Sequence, residues 1–178
     1  MEFKTLLDER RSVRKYQPAE ISSEQIEEII TAALLAPSWK NTQTGRYYAV
    51  CGKNKIDEFR NTALLSGNPD KCENTACLIV STFKKNIAGF SRTGEPDNEI
   101  GNGWGAYDLG MQAENLVLKA KELGYDTLIM GLRDADAIRK FCDIPEEEEV
   151  MAVIAVGKRD EDPQMPPRKT MEKVLKFI

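Results

Sequence analysis

Hydrophobic residues recur at helical spacing in two stretches of the chain. In the first, apolar residues over 26–34 fall on one helical face, and Ser22 and Gln25 are spaced as a capping box at its start. Pro37 is expected to end this helix, because proline cannot continue a regular helix. The second stretch, 104–123, predicts the longest helix of the fold.

Other stretches have the pattern of buried strands. Residues 76–83 are almost continuously apolar, which is typical of a strand that is covered on both faces. The remaining predicted elements are strands at 46–51, 125–130 and 150–156, and helices at 2–9, 55–65 and 135–141. Because no repeat or linker divides these elements, we expect a single α+β domain over 1–178.

Two segments show no clear period. Residues 84–103 are polar and contain several glycines, and a loop of this length in a compact domain is often a lid. Residues 160–167 are rich in proline and are predicted to be extended, followed by a last amphipathic turn or strand at 170–178.

Composition argues against several classes of protein. The 178 residues carry a net charge of −4, which argues against general nucleic-acid binding. No apolar run approaches the roughly 20 residues that cross a bilayer, so we expect no membrane segment. The N-terminus has no signal-peptide core and the cysteines form no CxxC pair, which predicts a cytoplasmic protein with free thiols and no metal site.

The absence of histidine narrows the chemistry that the chain can perform. It excludes Ser-His-Asp and Cys-His nucleophilic catalysis, and it removes the commonest general base. If the protein is an enzyme, we expect a cofactor to carry the reaction, with no catalytic side chain. Cys77 lies in the predicted buried strand and is interpreted as a small core residue.

A concentration of cations near the start of the chain is the first candidate binding site. The run RRSVRK at 10–15 places guanidinium groups and a hydroxyl just before Pro18 in an otherwise acidic chain. Guanidinium forks and a hydroxyl match phosphate oxygens, which makes the run a candidate phosphate site. An isolated cluster of this kind is more often a solvated charge run.

Three further segments carry polar candidates. They are the loop Pro37-Ser38-Trp39-Lys40-Asn41-Thr42-Gln43, the segment Asn68-Pro69-Asp70-Lys71, which by itself is typical of a surface turn, and the basic pair Arg168-Lys169. The glycines at 101, 103 and 105 do not form a dinucleotide fingerprint, because no strand is predicted just before them.

Taken together, these segments resemble the nitroreductase family of FMN-dependent oxidoreductases. The resemblance covers residues 10–168 and rests on the order and spacing of four motifs: RRSVRKYQ at 10–17, ALLAPSWKNTQ at 33–43, WGAYDLGMQAENLVLKAKELGYDT at 104–127 and PPRK at 166–169. It implies a three-layer α-β-α fold with a central, mainly antiparallel sheet. It also implies a homodimer with FMN at the subunit interface.

The resemblance assigns roles to residues at both ends of the chain. Arg10, Arg11, Ser12 and Arg14 fall on the start of the family's FMN site. The positions of Arg10 and Ser12 face the phosphate and ribityl chain, and the position of Arg14 reaches the pyrimidine end. Arg168 falls on a C-terminal arginine that binds phosphate, with Lys169 beside it.

Three internal segments are assigned to the flavin in the same way. Pro37, Ser38, Trp39 and Asn41 belong to the loop that the partner subunit lends to the flavin. Asn68 and Lys71 resemble the family's pair at the pyrimidine edge, and Met130-Gly131 falls where backbone N–H groups approach flavin N5.

The chain also departs from the family pattern. Many members continue the Asn-x-Gln motif with Pro-Trp, whereas here Thr44-Gly45 follows, and many larger members have Glu where this chain has Met130. The insertion that often covers the substrate is reduced to 84–103.

The implied activity is ping-pong transfer of hydride from NAD(P)H to nitroaromatic, quinone or similar acceptors, with the chemistry carried by FMN. Phe90 and Trp104 are expected to select the acceptor by stacking on a flat substrate. A same-fold enzyme with a narrow task such as reductive dehalogenation, and a flavin-binding protein without turnover, remain alternatives.

Overall fold

The computed structural model describes residues 1–178 and consists of helices around one five-stranded sheet. The α-helices are α1 (Phe3–Glu9), α2 (Ser23–Leu34), α3 (Lys53–Ala63), α4 (Asn68–Lys71), α5 (Gly103–Glu122) and α6 (Ala135–Cys142). The strands are β1 (Tyr16–Gln17), β2 (Gly45–Cys51), β3 (Cys77–Lys84), β4 (Asp126–Met130) and β5 (Glu148–Arg159), and short 3₁₀ helices lie at Trp39–Asn41 and Met171–Lys173. No helix combines the length and the apolar character that spanning a membrane requires.

Strand β5 organises the sheet, because three other strands pair with it. Strand β3 pairs with most of the length of β5, and β2 pairs with the other edge of β3. Strand β4 pairs with Val153–Gly157 of β5, and β1 pairs with Lys158 and Arg159. All of these pairings are antiparallel, which confirms the expected sheet type.

Helices cover both faces of the sheet, so the expected three-layer arrangement is confirmed. Successive residues of a strand point to opposite faces. On β3, Leu78 and Val80 pack in a core with α3 and α6, whereas Cys77 and Ile79 pack in a second core with α2 and α5. Burial on both faces explains the nearly unbroken apolar run at 76–83.

The predicted elements are present, with ends that differ by a few residues. The capping box at the start of α2 forms both of its reciprocal bonds, between Ser22 and Gln25. Strand β5 is longer than the predicted 150–156, since its last residues pair with β1. Strand β1 was not predicted, because it has only two residues and no pattern of its own.

The segment 68–71 differs from the surface turn that its local pattern alone indicates. It forms the short helix α4, and Asn68 is buried with 6% of its surface exposed. The cause is a tertiary contact, because Nδ2 of Asn68 donates to the Leu132 carbonyl at 2.9 Å. A local pattern carries no information about such a partner.

Candidate functional site

Backbone contacts hold the N-terminal cationic segment against the sheet. Ser12 forms a bridge with Thr127 of β4, and the Val13 N–H donates to the Thr127 carbonyl at 3.0 Å. Val13 is buried, so its neighbours Ser12 and Arg14 are exposed on the other side of the backbone. The segment is thereby fixed where β4 begins and β5 ends.

An ion-pair cluster ties α1 to the same end of the sheet. Asp126 accepts from Nε and Nη2 of Arg159 at 2.8 Å and 2.5 Å, and Nζ of Lys121 lies at 3.4 Å. Burial raises the pKa of Asp126, but the Arg159 hydrogen bonds and the Lys121 charge outweigh burial and hold that pKa below its usual value. Arg159 also donates to the carbonyl of Glu9, the last residue of α1, at 3.4 Å.

Four arginines converge on a cavity of about 220 Å³ between this segment and the C-terminal tail. The lining residues are Arg10, Arg11, Ser12, Arg14, Pro163, Gln164, Pro166 and Arg168. No carboxylate lines the cavity, and none of its arginines takes part in an ion pair. Nε of Arg11 is buried without any acceptor. Uncompensated guanidinium groups around a small cavity provide the donors that a phosphate group requires.

Only one residue of the C-terminal basic pair Arg168-Lys169 lines the arginine cavity. Arg168 lines the arginine cavity, and its Nη1 donates only to the Pro166 carbonyl, at 3.1 Å. Lys169 is exposed and does not line the cavity.

A second cleft, of about 590 Å³, extends from Arg14 to Lys71. Both cations line it. The acidic residues that also line it are Asp70, Glu73, Asp160 and Glu161. Glu161 accepts the backbone N–H of Arg14 at 2.5 Å, so this carboxylate positions the cationic segment without neutralising the Arg14 guanidinium through an ion pair.

Two other predicted flavin segments are connected to Lys71, which lines the cleft. Nζ of Lys71 lies 3.4 Å from Oδ1 of Asn68, which in turn bonds to Leu132. Gly131 is exposed, and a Cβ placed on it would meet no atom within 4 Å. The structure therefore brings the segments 68–71 and 130–131 together and leaves open space beside Gly131, whereas the Met130 side chain is buried.

The loop at 37–43 is positioned by a different helix. The Trp39 N–H donates to Oδ2 of Asp108 on α5 at 2.9 Å, and Oγ of Ser38 accepts the Gln43 N–H at 3.1 Å. Asn41 and Gln43 have positive φ, which is uncommon for residues other than glycine. The side chains of Asp108 and Ser38 therefore stabilise an unusual backbone path. Burial raises the pKa of Asp108, and the Trp39 N–H only partly offsets that rise.

The loop and the arginine cavity lie at opposite ends of the sheet. After the loop, Gly45 pairs with Phe83, and Phe83 pairs with Glu149 near the start of β5. The arginine segment lies beside Asp126, which pairs with Gly157 near the end of β5. Eight residues of extended strand separate these positions, or about 26 Å at about 3.3 Å per residue. Within one chain, the structure does not bring Pro37–Asn41 to the other predicted flavin residues.

The predicted acceptor residues lie at the loop end of the sheet. The Trp104 and Trp39 rings are 4.5 Å apart, and Nε1 of Trp104 donates to Oδ1 of Asn98 at 2.9 Å. Phe90 forms a backbone bridge with Pro96 inside the irregular segment. The segment 85–102 is therefore held by internal contacts, although it forms neither a helix nor a strand of the sheet.

Two buried carboxylates that hold the predicted segments in place, Asp108 and Asp126, were not among the predicted residues. Asp108 and Gln112 share the buried face of α5 with Leu116, at the i, i+4, i+8 spacing of one helical stripe. Polar residues on an otherwise apolar face were the available signal for Asp108. For Asp126 the pattern offered none, because its partner Arg159 is distant in sequence.

Comparison with known proteins identifies the family. The Nitroreductase family model matches residues 7–76 and 63–158, which together make up most of the chain. The chain belongs to the nitroreductase family. This result confirms the resemblance carried by the four motifs.

Individual members of the family are distant in sequence. The chain is 24% identical to a Bacillus subtilis (strain 168) protein provisionally named NAD(P)H nitroreductase MhqN, with 99% of each covered. It is 29% identical to the NADPH-flavin oxidoreductase of Vibrio harveyi over 89% of this chain and 66% of that protein. A solved oxidoreductase containing FMN matches with a TM-score of 0.76 and 25% identity over 90% of this chain and 79% of the other.

Proposed function

We propose that the protein binds FMN and transfers electrons from NAD(P)H to nitroaromatic, quinone or similar acceptors. One observation carries the proposal: four arginines without carboxylate partners line a small cavity, and one of them, Arg14, also lines a cleft that reaches Lys71. The family, the flavin named in the Vibrio harveyi relative and the FMN of the solved oxidoreductase support this choice of cofactor.

The residues of the chain fit FMN from its phosphate to its ring. The phosphate would be held by Arg10, Arg11, Ser12 and Arg168, whose donors are not taken by carboxylates. Arg14 is shared by the cavity and the cleft, so it would lie between the phosphate and the pyrimidine edge near Lys71. Open space at Gly131 allows a flat ring to approach the backbone.

When bound, FMN supplies two-electron chemistry in which a hydride is taken from a nicotinamide and passed to a second substrate. The reduced ring is negatively charged near N1 and O2, and fixed cations stabilise that charge. Arg14 and Lys71 would perform this role. No side chain needs to act as nucleophile or base, which agrees with a chain that contains no histidine.

A second copy of the chain completes the site. The β5 residues nearest to the loop 37–41 and to the arginine segment, Glu149 and Gly157, are about 26 Å apart by the strand rise, so the loop does not adjoin the arginines of its own chain. In a homodimer, each chain would lend this loop, whose Trp39 N–H donates to Asp108, to the cavity of the other.

The proposed activity is tested with the purified protein. We expect a yellow protein whose flavin is FMN, bleached by NADH or NADPH and reoxidised by menadione or a nitrofuran with steady-state oxidation of the nicotinamide. A flavoprotein that is not reduced by either nicotinamide would instead be a non-catalytic flavin-binding protein. A colourless protein that FMN does not stabilise against heat would refute the proposal.

The shared site is tested by dilution. Because a ligand that binds only the dimer stabilises it by mass action, dilution should release FMN, and added FMN should restore the dimer. Asn41→Ala should weaken FMN binding although this residue is remote from the arginines of its own chain, whereas Asn61→Ala, on the exposed side of α3, should not. A monomer with full FMN occupancy, measured by light scattering and absorbance, would refute the shared site.

A further inference from the structure

Two cysteines face each other across neighbouring strands, and neither lines the arginine cavity or the cleft between Arg14 and Lys71. Cys51 at the end of β2 is the register partner of Cys77 at the start of β3, and their Sγ atoms are 3.5 Å apart. Cys51 is exposed on the edge strand, whereas Cys77 is fully buried. Neither thiol has a role in the proposed electron transfer.

The strand geometry allows these thiols to join without moving the backbone. Directly paired residues of antiparallel strands have Cα atoms about 4.5–5.5 Å apart, which lies inside the range of about 4.4–6.8 Å found in disulfides. The two side chains share one face of the sheet, so the sulfur atoms need only a change of side-chain rotation to come within bonding distance.

The surroundings make Cys51 the more reactive thiol. The hydrogen bond with Cys77 lowers the pKa of Cys51 to about 7, an effect that partial burial opposes and the charge of Lys55 reinforces. The same contact and burial raise the pKa of Cys77. Thiolate is the nucleophilic form of cysteine, so near neutral pH Cys51 attacks and Cys77 stays protonated beside it.

A solvent-open cavity gives small molecules access to the pair. It has a volume of about 370 Å³ and is lined by Cys51 together with residues that precede α2, residues that begin α3 and Asn74–Ala76. The cation Lys53 also lines this cavity. A small neutral oxidant can therefore reach the sulfur of Cys51, whereas Cys77 is fully buried and does not line the cavity.

We propose that Cys51 and Cys77 form a reversible peroxide-sensitive thiol pair. The Cys51 thiolate attacks one oxygen of hydrogen peroxide, the O–O bond breaks, and a sulfenic acid and hydroxide are formed. The Cys77 thiol then attacks the Cys51 sulfur, a disulfide forms and water leaves. In total, two thiols and one peroxide give one disulfide and two waters, and the two electrons pass from sulfur to oxygen.

The other two cysteines of the chain serve as internal controls. Burial raises the pKa of both Cys72 and Cys142 to about 11, which keeps them protonated at neutral pH. Neither is a register partner of another cysteine. They should keep their thiols under conditions that oxidise Cys51.

The test is a thiol count and a peptide map of the full-length protein after brief treatment with hydrogen peroxide. When the protein is denatured for the titration, four thiols should be counted before treatment and two fewer afterwards, with the Cys51 and Cys77 peptides linked in a non-reducing digest. A reductant should restore all of the thiols. Cys142→Ser should leave this result unchanged.

Two variants separate the roles of the pair. Cys51→Ser replaces an exposed thiol, so it should fold normally and show no loss of thiols under peroxide. Cys77→Ala, checked for folding by thermal unfolding, should stop the reaction at a Cys51 sulfenic acid that a cyclic diketone probe traps. The proposal is overturned if treated wild-type protein shows no thiol loss, an unlinked sulfenic acid at Cys51, a link through Cys72 or Cys142, or a link between two chains.

Discussion

Arg168→Ala removes one guanidinium from the arginine cavity and should weaken FMN binding without unfolding the protein. Arg168 is exposed, it belongs to no helix or strand, and its only hydrogen bond runs to the Pro166 carbonyl two residues away. Its removal therefore leaves no buried charge without a partner. The free energy of unfolding should change by less than about 0.5 kcal/mol, the usual range for surface substitutions.

The loss of affinity follows from the nature of the contact. A charge-assisted hydrogen bond to phosphate contributes about 1.5–3 kcal/mol. Because the Arg168 side chain is exposed, solvent screening places the expected value in the lower half of that range. A loss of about 1.5–2 kcal/mol corresponds to a dissociation constant higher by about 10- to 30-fold.

Fluorescence titration of the flavin-free protein with FMN measures this change directly. Lys169→Ala is the matched control, because the adjacent cation is equally exposed but does not line the cavity. The difference between the variants should shrink as salt is raised, since screening weakens contacts between exposed charges. Equal dissociation constants for Arg168→Ala and wild type would refute the assignment of the cavity to phosphate.

Three further results are expected from the site and its supports. Arg14→Gln should lower the midpoint potential of the bound flavin in a redox-dye titration, because a cation that stabilises the reduced ring is lost; an unchanged potential would mean that this charge does not reach the ring. Asp126→Asn should lower the free energy of unfolding at pH 7 by about 1–3 kcal/mol. The pKa of Asp126 is lower in the folded state than in the unfolded state, where it is about 3.9. The contribution of Asp126 to the free energy of unfolding is therefore complete above the unfolded-state pKa and is lost as the pH falls through the folded-state pKa. The difference from wild type in urea unfolding should therefore narrow below about pH 4, and the control Asp162→Asn, at the exposed end of the same Arg159 network, should show little difference at any pH. Trp104→Ala should change the relative steady-state rates for quinones and nitro compounds, and equal loss for every acceptor would indicate that the ring only supports the loop.

Much of the fold follows from local patterns in the sequence. The apolar run at 76–83 predicted a strand buried on both faces, and β3 has helices on each side. The Ser22–Gln25 spacing predicted the start of α2, and both capping bonds form. These elements were predictable because each is specified by neighbours within a few residues along the chain.

The candidate site was only partly predictable, because its supports are distant in sequence. The cations at 10–14 and at 168 could be recognised by type, but their meeting in one cavity depends on how the C-terminal tail passes the first segment. Asn68 could be assigned to the site only through the family resemblance, since its hydrogen-bond partner Leu132 is distant in sequence. Lys169 was grouped with Arg168, although only the arginine lines the cavity.

The sequence by itself determined the layers of the fold, the absence of histidine chemistry and the presence of cations suited to phosphate. The tertiary structure alone decided which of those cations converge, and it placed the loop 37–41 at the other end of β5. The physical reason is that periodicity encodes which face of an element is buried, whereas convergence depends on strand register and chain path. Those in turn are fixed by long-range contacts such as Asp126 with Arg159 and Trp39 with Asp108.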